Sequence, residues 1–199
     1  MTGSFWFVRH GESEANRDGI RSGQMDTPLT DLGRRQALDL VPALAPLDPA
    51  PQRLVTSTLS RARETAQIIN RHLDLPVSEE AGLCEQHYGE CQGQKIKTVI
   101  ARHGPDWVLQ PPGGETFEDF GLRIVRTLET ILFADAALPL IVGHGGMINV
   151  LRHRFGLPYE KVTNCAVFFF KAQETGDAIS WKIREQHPDQ SVIDPGGPV

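Results

Sequence analysis

Cysteine is scarce in this chain, and the little there is follows no pattern. Three residues in 199, Cys84, Cys91 and Cys165, form neither an even framework nor a Cys-x-x-Cys pair, which argues against a disulfide scaffold. No compact Cys/His spacing offers four ligands, so structural zinc is not expected. Free thiols suit a reducing compartment, and a cytoplasmic protein is expected. Long apolar runs are missing too. The longest conspicuous one, Ala166 to Phe170, is far too short to span a membrane. The opening residues Met1 to Trp6 carry neither the basic region nor the apolar stretch of a signal peptide. Positive charge is not in excess: the net charge is −5, which argues against nucleic-acid binding through bulk electrostatics. No internal repeat or linker divides the chain, so a single domain over 1–199 is expected. Its Pro-, Gly- and Asp-bearing tail after His187 is expected to be loosely held.

What is present is an ordinary globular composition, 40% hydrophobic and 23% charged, arranged as short β-rich runs alternating with amphipathic stretches. That alternation predicts an α/β domain. Strands are expected at Phe5–Val8, Arg53–Ser57 and Pro139–Gly143, with a minor one near Pro76-Val77. Helical spacing predicts helices from Thr30 to about Leu44 (with Pro42 inside), from about Ser57 to Leu73, near Ile96–Arg102, after a Thr116–Asp119 capping box, and from about Met147 to Phe155. Ala166–Phe170 and Ile179–Ile183 are expected to pair across a turn at Glu174–Asp177. Residues 83–93 are polar, glycine-bearing and aperiodic, and read as a loop.

Three predicted strand ends carry ionisable residues: Arg9-His10-Gly11, Ser57 to Arg61-Ala62, and Gly143-His144-Gly145-Gly146. In a parallel sheet such ends lie on one edge, where open α/β folds bind ligands. Two guanidinium forks beside helix N-termini form an anion pocket. An imidazole among them can accept a phosphoryl group while a second stabilises charge on the equatorial oxygens. The remaining part is a proton donor for the leaving oxygen, and Glu85 in the aperiodic loop is the best placed acid.

These residues resemble the histidine phosphatase superfamily, which includes the cofactor-dependent phosphoglycerate mutases. The matching segments are Arg9–Ser13 with Asn16, Thr27-Pro28-Leu29-Thr30 with Gly33 and Gln36-Ala37, Ser57 with Arg61-Ala62 and Thr65-Ala66, Glu85 with Tyr88-Gly89 and Gly93, Gly113-Gly114-Glu115, and Val142-Gly143-His144-Gly145. They occur in the family's order over roughly residues 4–165. The resemblance implies a three-layer α/β/α sandwich with a mostly parallel central sheet. It implies a phosphohistidine on His10, a phosphate pocket of Arg9, Arg61 and His144, and Glu85 as general acid and base. No metal or other cofactor is implied, because protein cations supply the positive charge.

Asn16 and the Gly145 N–H are candidate phosphate donors. Ser13, Gln24, Gln86, His87 and Tyr88 are expected around the pocket mouth, where they suit a small, polar phosphorylated substrate. Which substrate, and which oligomeric state, the residues do not specify. The acid loop Glu85-Gln86-His87-Tyr88-Gly89-Glu90 resembles the mutase version. Two departures favour hydrolysis. Gln86 stands where the mutases carry an arginine, and the Gly93–Gly113 stretch is shorter than the mutase insertion. A phosphomonoesterase is therefore expected, with a mutase-type phosphotransferase and a non-catalytic phosphoryl-binding module as the alternatives.

Overall fold

A strand that is apolar on both faces needs helices above and below it, and β1 (Phe5–Arg9) is such a strand. The computed structural model describes residues 3–175, 178–186 and 192–193. In it β1 lies at the centre of a seven-stranded sheet ordered β3-β2-β4-β1-β5-β6-β7. The other strands are β2 (Arg53–Ser57), β3 (Val77–Glu80), β4 (Pro139–Gly143), β5 (Val167–Thr175), β6 (Ala178–Gln186) and β7 (Val192–Ile193). β3, β2, β4 and β1 pair parallel, whereas β5, β6 and β7 continue the sheet antiparallel from the other side of β1.

The α-helices among the described residues are α1 (Glu14–Arg17), α2 (Asp31–Leu44), α3 (Ser60–Leu73), α4 (Ile96–His103), α5 (Phe117–Ala134) and α6 (Gly145–Arg154), with short 3₁₀ turns at Ala81–Leu83, Gly89–Cys91 and Pro105–Leu109. Period-two alternation assigns each strand residue to a face. Trp6, Val8, Leu54, Leu140 and Val142 pack under α2 and α3 through Ala37, Leu40, Leu44, Ala62, Ala66 and Ile69. Phe5, Phe7, Val55 and Ile141 meet Phe120, Ile124 and Leu128 of α5 and Met147, Ile148 and Leu151 of α6. The result is the expected three-layer α/β/α sandwich. Each fully buried Leu, Ile or Phe contributes roughly 1.5–3 kcal/mol, so the two cores fix the strand ends firmly. A smaller cluster of Tyr88, Cys91, Val99 and Trp107 sits under the segment that bears α4.

The register aligns the chemistry. Arg9 lies opposite Gly143, and Thr56 opposite Val142, so β1, β4 and β2 end level and release His10, His144 and the Ser57-to-Arg61 turn on one edge. The expected elements formed, with shifts at their ends. α6 starts at Gly145 instead of Met147, because extended His144 serves as its N-cap and two glycines of poor helix propensity make its first turn. β5 and β6 run beyond their apolar segments, since their ladder pairs Val167 with Gln186 and Thr175 with Ala178. The apex residues 176–177 of the predicted turn lie outside the described residues. Within the predicted loose tail, Val192 and Ile193 pair with Gln186 and Glu185, and the rest of the tail lies outside the described residues.

Candidate active site

The level strand ends form the floor of a cavity of about 620 Å³. His10, buried at 3% exposure, follows β1. Its Nδ1 lies 2.7 Å from the Gly11 carbonyl oxygen, and a carbonyl can only accept. Nδ1 therefore carries the proton and Nε2 keeps a free lone pair. Burial, and then the Arg9 and Arg61 cations, hold the His10 pKa well below the ordinary 6.5. The imidazole is neutral at physiological pH, as a nucleophile must be.

Arg9 and Arg61 flank it. Arg61, almost fully buried, donates through Nη1 to the Met25 carbonyl at 3.0 Å and through Nη2 to that of Gly23 at 2.7 Å. Arg9 Nη1 donates to the Val162 carbonyl, while its buried Nε has no hydrogen-bond partner among the described residues. Burial lowers the pKa of both guanidinium groups, which nevertheless stay charged. Among the described residues neither holds a carboxylate in an ion pair.

His144 faces His10 edge-on, with ring centroids 5.1 Å apart. Its Nε2 lies 2.8 Å from Ser57 Oγ, and its buried Nδ1 has no partner. Burial again comes first in lowering its pKa well below 6.5, with Arg61, His10 and Arg9 adding to the effect. When the Ser57 hydroxyl donates to Nε2, Nδ1 becomes an unengaged N–H donor.

Glu85 reaches the same cavity from the loop after a 3₁₀ turn at Ala81–Leu83. Its Oε2 accepts the Gly146 N–H at 3.0 Å and its Oε1 the Gln86 N–H at 2.9 Å. The carboxylate thus rests on the positive end of α6. A Cβ at position 146 would overlap Oε1, so this approach requires glycine. Arg123 of α5 braces the loop from behind. Its Nη1 donates to the carbonyls of Gly82 and Cys84, its Nη2 donates to that of Glu85, and it forms a two-pronged pair with Glu115 at 2.8 Å per contact. Gly113-Gly114-Glu115 therefore does more than open a helix: its acid locks the Glu85 loop.

The remaining family-like segments build the frame. Thr65 Oγ1 accepts the Gly11 N–H at 3.0 Å. Glu12 is held by the Thr30 hydroxyl at 2.8 Å and by Gln36, which accepts its N–H at 2.8 Å. Gly11 and Gly33 lie so close that a Cβ on Gly11 would strike the Gly33 carbonyl, and one on Gly33 the Glu12 backbone.

Of the five predicted catalytic residues, His10, Glu85, Arg9 and Arg61 line this cavity, and His144 is buried beside His10. Asn16, Gly145 and Tyr88 line it as well. Ser13 and Gln24 do not. Ser13 is fully buried and caps α1, its Oγ accepting the Asn16 N–H at 3.3 Å. Gln24 turns outside the cavity to donate to the Glu85 carbonyl at 3.0 Å. Gln86 and His87 are likewise absent from the wall. Gln86 is buried, and its amide ties the carbonyls of Val108 and Glu115 together at 2.9 and 2.8 Å. Sequence reasoning missed Arg21, Arg123 and the Tyr159–Asn164 segment, and all of that segment but Thr163 lines the cavity. The signals were an arginine on the buried stripe between Phe120 and Ile124, and a second aperiodic stretch after Pro158.

Comparison with known proteins agrees with this geometry. The sequence is 35% identical over 157 residues to an adenosylcobalamin/alpha-ribazole phosphatase of Salmonella typhimurium, covering 73% of this chain and 76% of that one. It is 36% identical over 169 residues to a 2,3-bisphosphoglycerate-dependent phosphoglycerate mutase of Gloeobacter violaceus, covering 72% and 71%. The fold matches the structure of a mycobacterial glucosyl-3-phosphoglycerate phosphatase with VO3, at a TM-score of 0.76 and 25% identity over 91% of this chain and 97% of that one. Among the described residues no helix is long and apolar enough to cross a membrane. The sequence pattern of the histidine phosphatase superfamily (branch 1) matches residues 5–181, and the chain belongs to that superfamily.

Proposed function

We propose that this chain is a phosphomonoesterase that removes the phosphoryl group of a small metabolite in two steps through His10. The observation that carries the reading is the fixed tautomer of His10 between two guanidinium groups that hold no carboxylate among the described residues. In the first step the Nε2 lone pair attacks phosphorus, the ester P–O bond breaks, and Glu85 gives its proton to the leaving oxygen. In the second, water attacks the phosphohistidine while Glu85 takes its proton, and the P–N electrons return to Nε2. Arg9 and Arg61 offset the charge of the equatorial oxygens throughout, and the neutral His144 Nδ1–H, Asn16 and the Gly145 N–H add donors. The three unpaired thiols support a cytoplasmic location.

The phosphatases among the relatives support a small phosphorylated substrate, and the mutase relative supports a second reading, phosphoglycerate exchange. Hydrolysis of p-nitrophenyl phosphate, with acid-labile radiolabel trapped on wild type and lost in His10→Ala, is the expected outcome; the variant should turn over at least ~10⁴-fold more slowly. No hydrolysis by wild type at any pH, or undiminished label on the variant, overturns the proposal. Rapid, bisphosphate-primed interconversion of 3- and 2-phosphoglycerate establishes the second reading instead.

A further inference from the structure

Arginines that are not exposed fall into two groups. Arg34, Arg53, Arg63, Arg123 and Arg152 each hold a carboxylate. Arg9, Arg61 and Arg21 hold none among the described residues, and these three line the same cavity. The phosphoryl group accounts for the first two. It does not account for Arg21, which comes from the connection between α1 and α2 and not from a strand end.

Arg21 is nonetheless held in place. Its N–H donates to the Gln94 carbonyl and its own carbonyl accepts the Gly93 N–H, both at 2.9 Å. Its guanidinium carbon lies 5.2 Å from the Tyr88 ring centroid and 5.3 Å from that of Trp107. Its Nε is buried and has no hydrogen-bond partner among the described residues. The ring faces return about 0.5–2 kcal/mol and the Tyr88 hydroxyl adds a neutral contact, which leaves the guanidinium without an anionic partner among the described residues. The three acids that line the cavity with it are engaged elsewhere: Glu12 with Thr30, Glu85 with Gly146, and Glu160 with Arg152.

We infer that Arg21 receives a second oxyanion of the substrate, so that the preferred substrates are phosphomonoesters bearing a carboxylate or a further phosphoryl group. The inference deepens the proposed phosphatase reading and rests on it. Gln86, in the slot where the mutases carry an arginine, is buried and spent on backbone carbonyls. Arg21 thus supplies from another segment a cation that Gln86 does not. A guanidinium fork resting against two rings that also pack on each other, their centroids 5.2 Å apart, is preorganised for a planar or tetrahedral oxyanion, which lowers the ordering cost of binding.

Matched substrate pairs test this: 3-phosphoglycerate against glycerol 3-phosphate, and propane-1,3-diol bisphosphate against its monophosphate. The first pair reports a carboxylate, the second a phosphoryl group. Wild type should favour the oxyanion-bearing member of at least one pair by about tenfold or more in kcat/KM, as expected for one charge-assisted contact. Arg21→Met should bring that ratio close to one. Arg21→Lys, which keeps the charge without the fork, should give an intermediate ratio. No preference in wild type overturns the inference. So does a ratio that survives Arg21→Met while both members slow equally, since Arg21 would then only clamp Tyr88 and Trp107. Failure of wild type to hydrolyse every substrate, p-nitrophenyl phosphate included, overturns the phosphatase reading itself.

Discussion

The floor and the wall of the cavity are built by different means. The floor consists of groups released from the ends of β1, β2 and β4, whose register is set by two buried cores. The wall is made by connections: the stretch from α1 to α2, the segment from the Glu85 loop through α4, and residues 159–164. In the floor, Arg9, His10, Arg61, Gly145 and Gly146 gather around one small volume, and desolvation sharpens their chemistry. In the wall, polar groups are spread along a longer surface and meet solvent. The contrast suggests a division of labour, with reaction type set by the floor and choice of substrate by the wall.

Glu85 stands on the seam between the two, carried by a wall loop but resting on the floor at the N-terminus of α6. Its replacement is therefore the largest test of the comparison. Glu85→Gln should slow alkyl phosphates about 10²–10⁴-fold, the usual worth of a general acid. A substrate with a good leaving group, such as p-nitrophenyl phosphate, needs little protonation and should lose far less in its first step. Steady-state and single-turnover rates over a leaving-group series measure this. An equal loss along the series would make Glu85 a structural brace of the wall and not the proton donor.

An intermediate effect belongs to the floor alone. His10 and His144 both have folded-state pKa values well below 6.5, chiefly through burial. Between those values and 6.5 the unfolded chain binds protons that the folded chain refuses. Stability must therefore fall as pH drops through 6.5, by at most about 1.4 kcal/mol per pH unit for each histidine. Melting curves from pH 8 to 5 should show the decline, and His10→Gln should flatten it. Sulfate, a dianion over that range, should flatten it too, because an anion on the floor offsets Arg9 and Arg61. A melting temperature as high at pH 5 as at pH 7 would contradict the burial of two neutral imidazoles.

The same division explains what could be read from the chain in advance. His10, Arg61 and His144 were legible because each follows a short apolar run, and a strand end restricts where the next side chain can go. Glu85 stood out only through its family-like neighbours, since an aperiodic loop gives no direction for a carboxylate. Arg21 gave no signal at all. Its significance lies in the two rings it meets, Tyr88 and Trp107, which are brought to it by a small core that no local pattern reveals. Gln86 misled for the converse reason: position in a motif suggested the mouth of the site, whereas two unpaired carbonyls drew its amide inward.

Ser13 gives the smallest test and separates floor from frame most cleanly. It lies three residues after the proposed nucleophile, within a segment where sequence alone suggests a substrate contact. Yet it is fully buried and forms a capping box with Asn16, its Oγ accepting one N–H while the Asn16 side-chain oxygen accepts the Ser13 N–H at 3.2 Å. The short α1 has little intrinsic stability, so the box, together with the Asn164 amide that donates to the same Asn16 oxygen at 3.2 Å, holds Asn16 at the cavity. Ser13→Ala removes one side of it and should cost about 1 kcal/mol in denaturant unfolding, as other N-cap losses do. Phosphate affinity should follow Asn16 and weaken only a few-fold, and the substrate preference attributed to Arg21 should not move. A change in substrate preference without a loss of stability would return Ser13 to the cavity wall; the reverse pattern places it in the frame, where chemical proximity in sequence has no counterpart in contact.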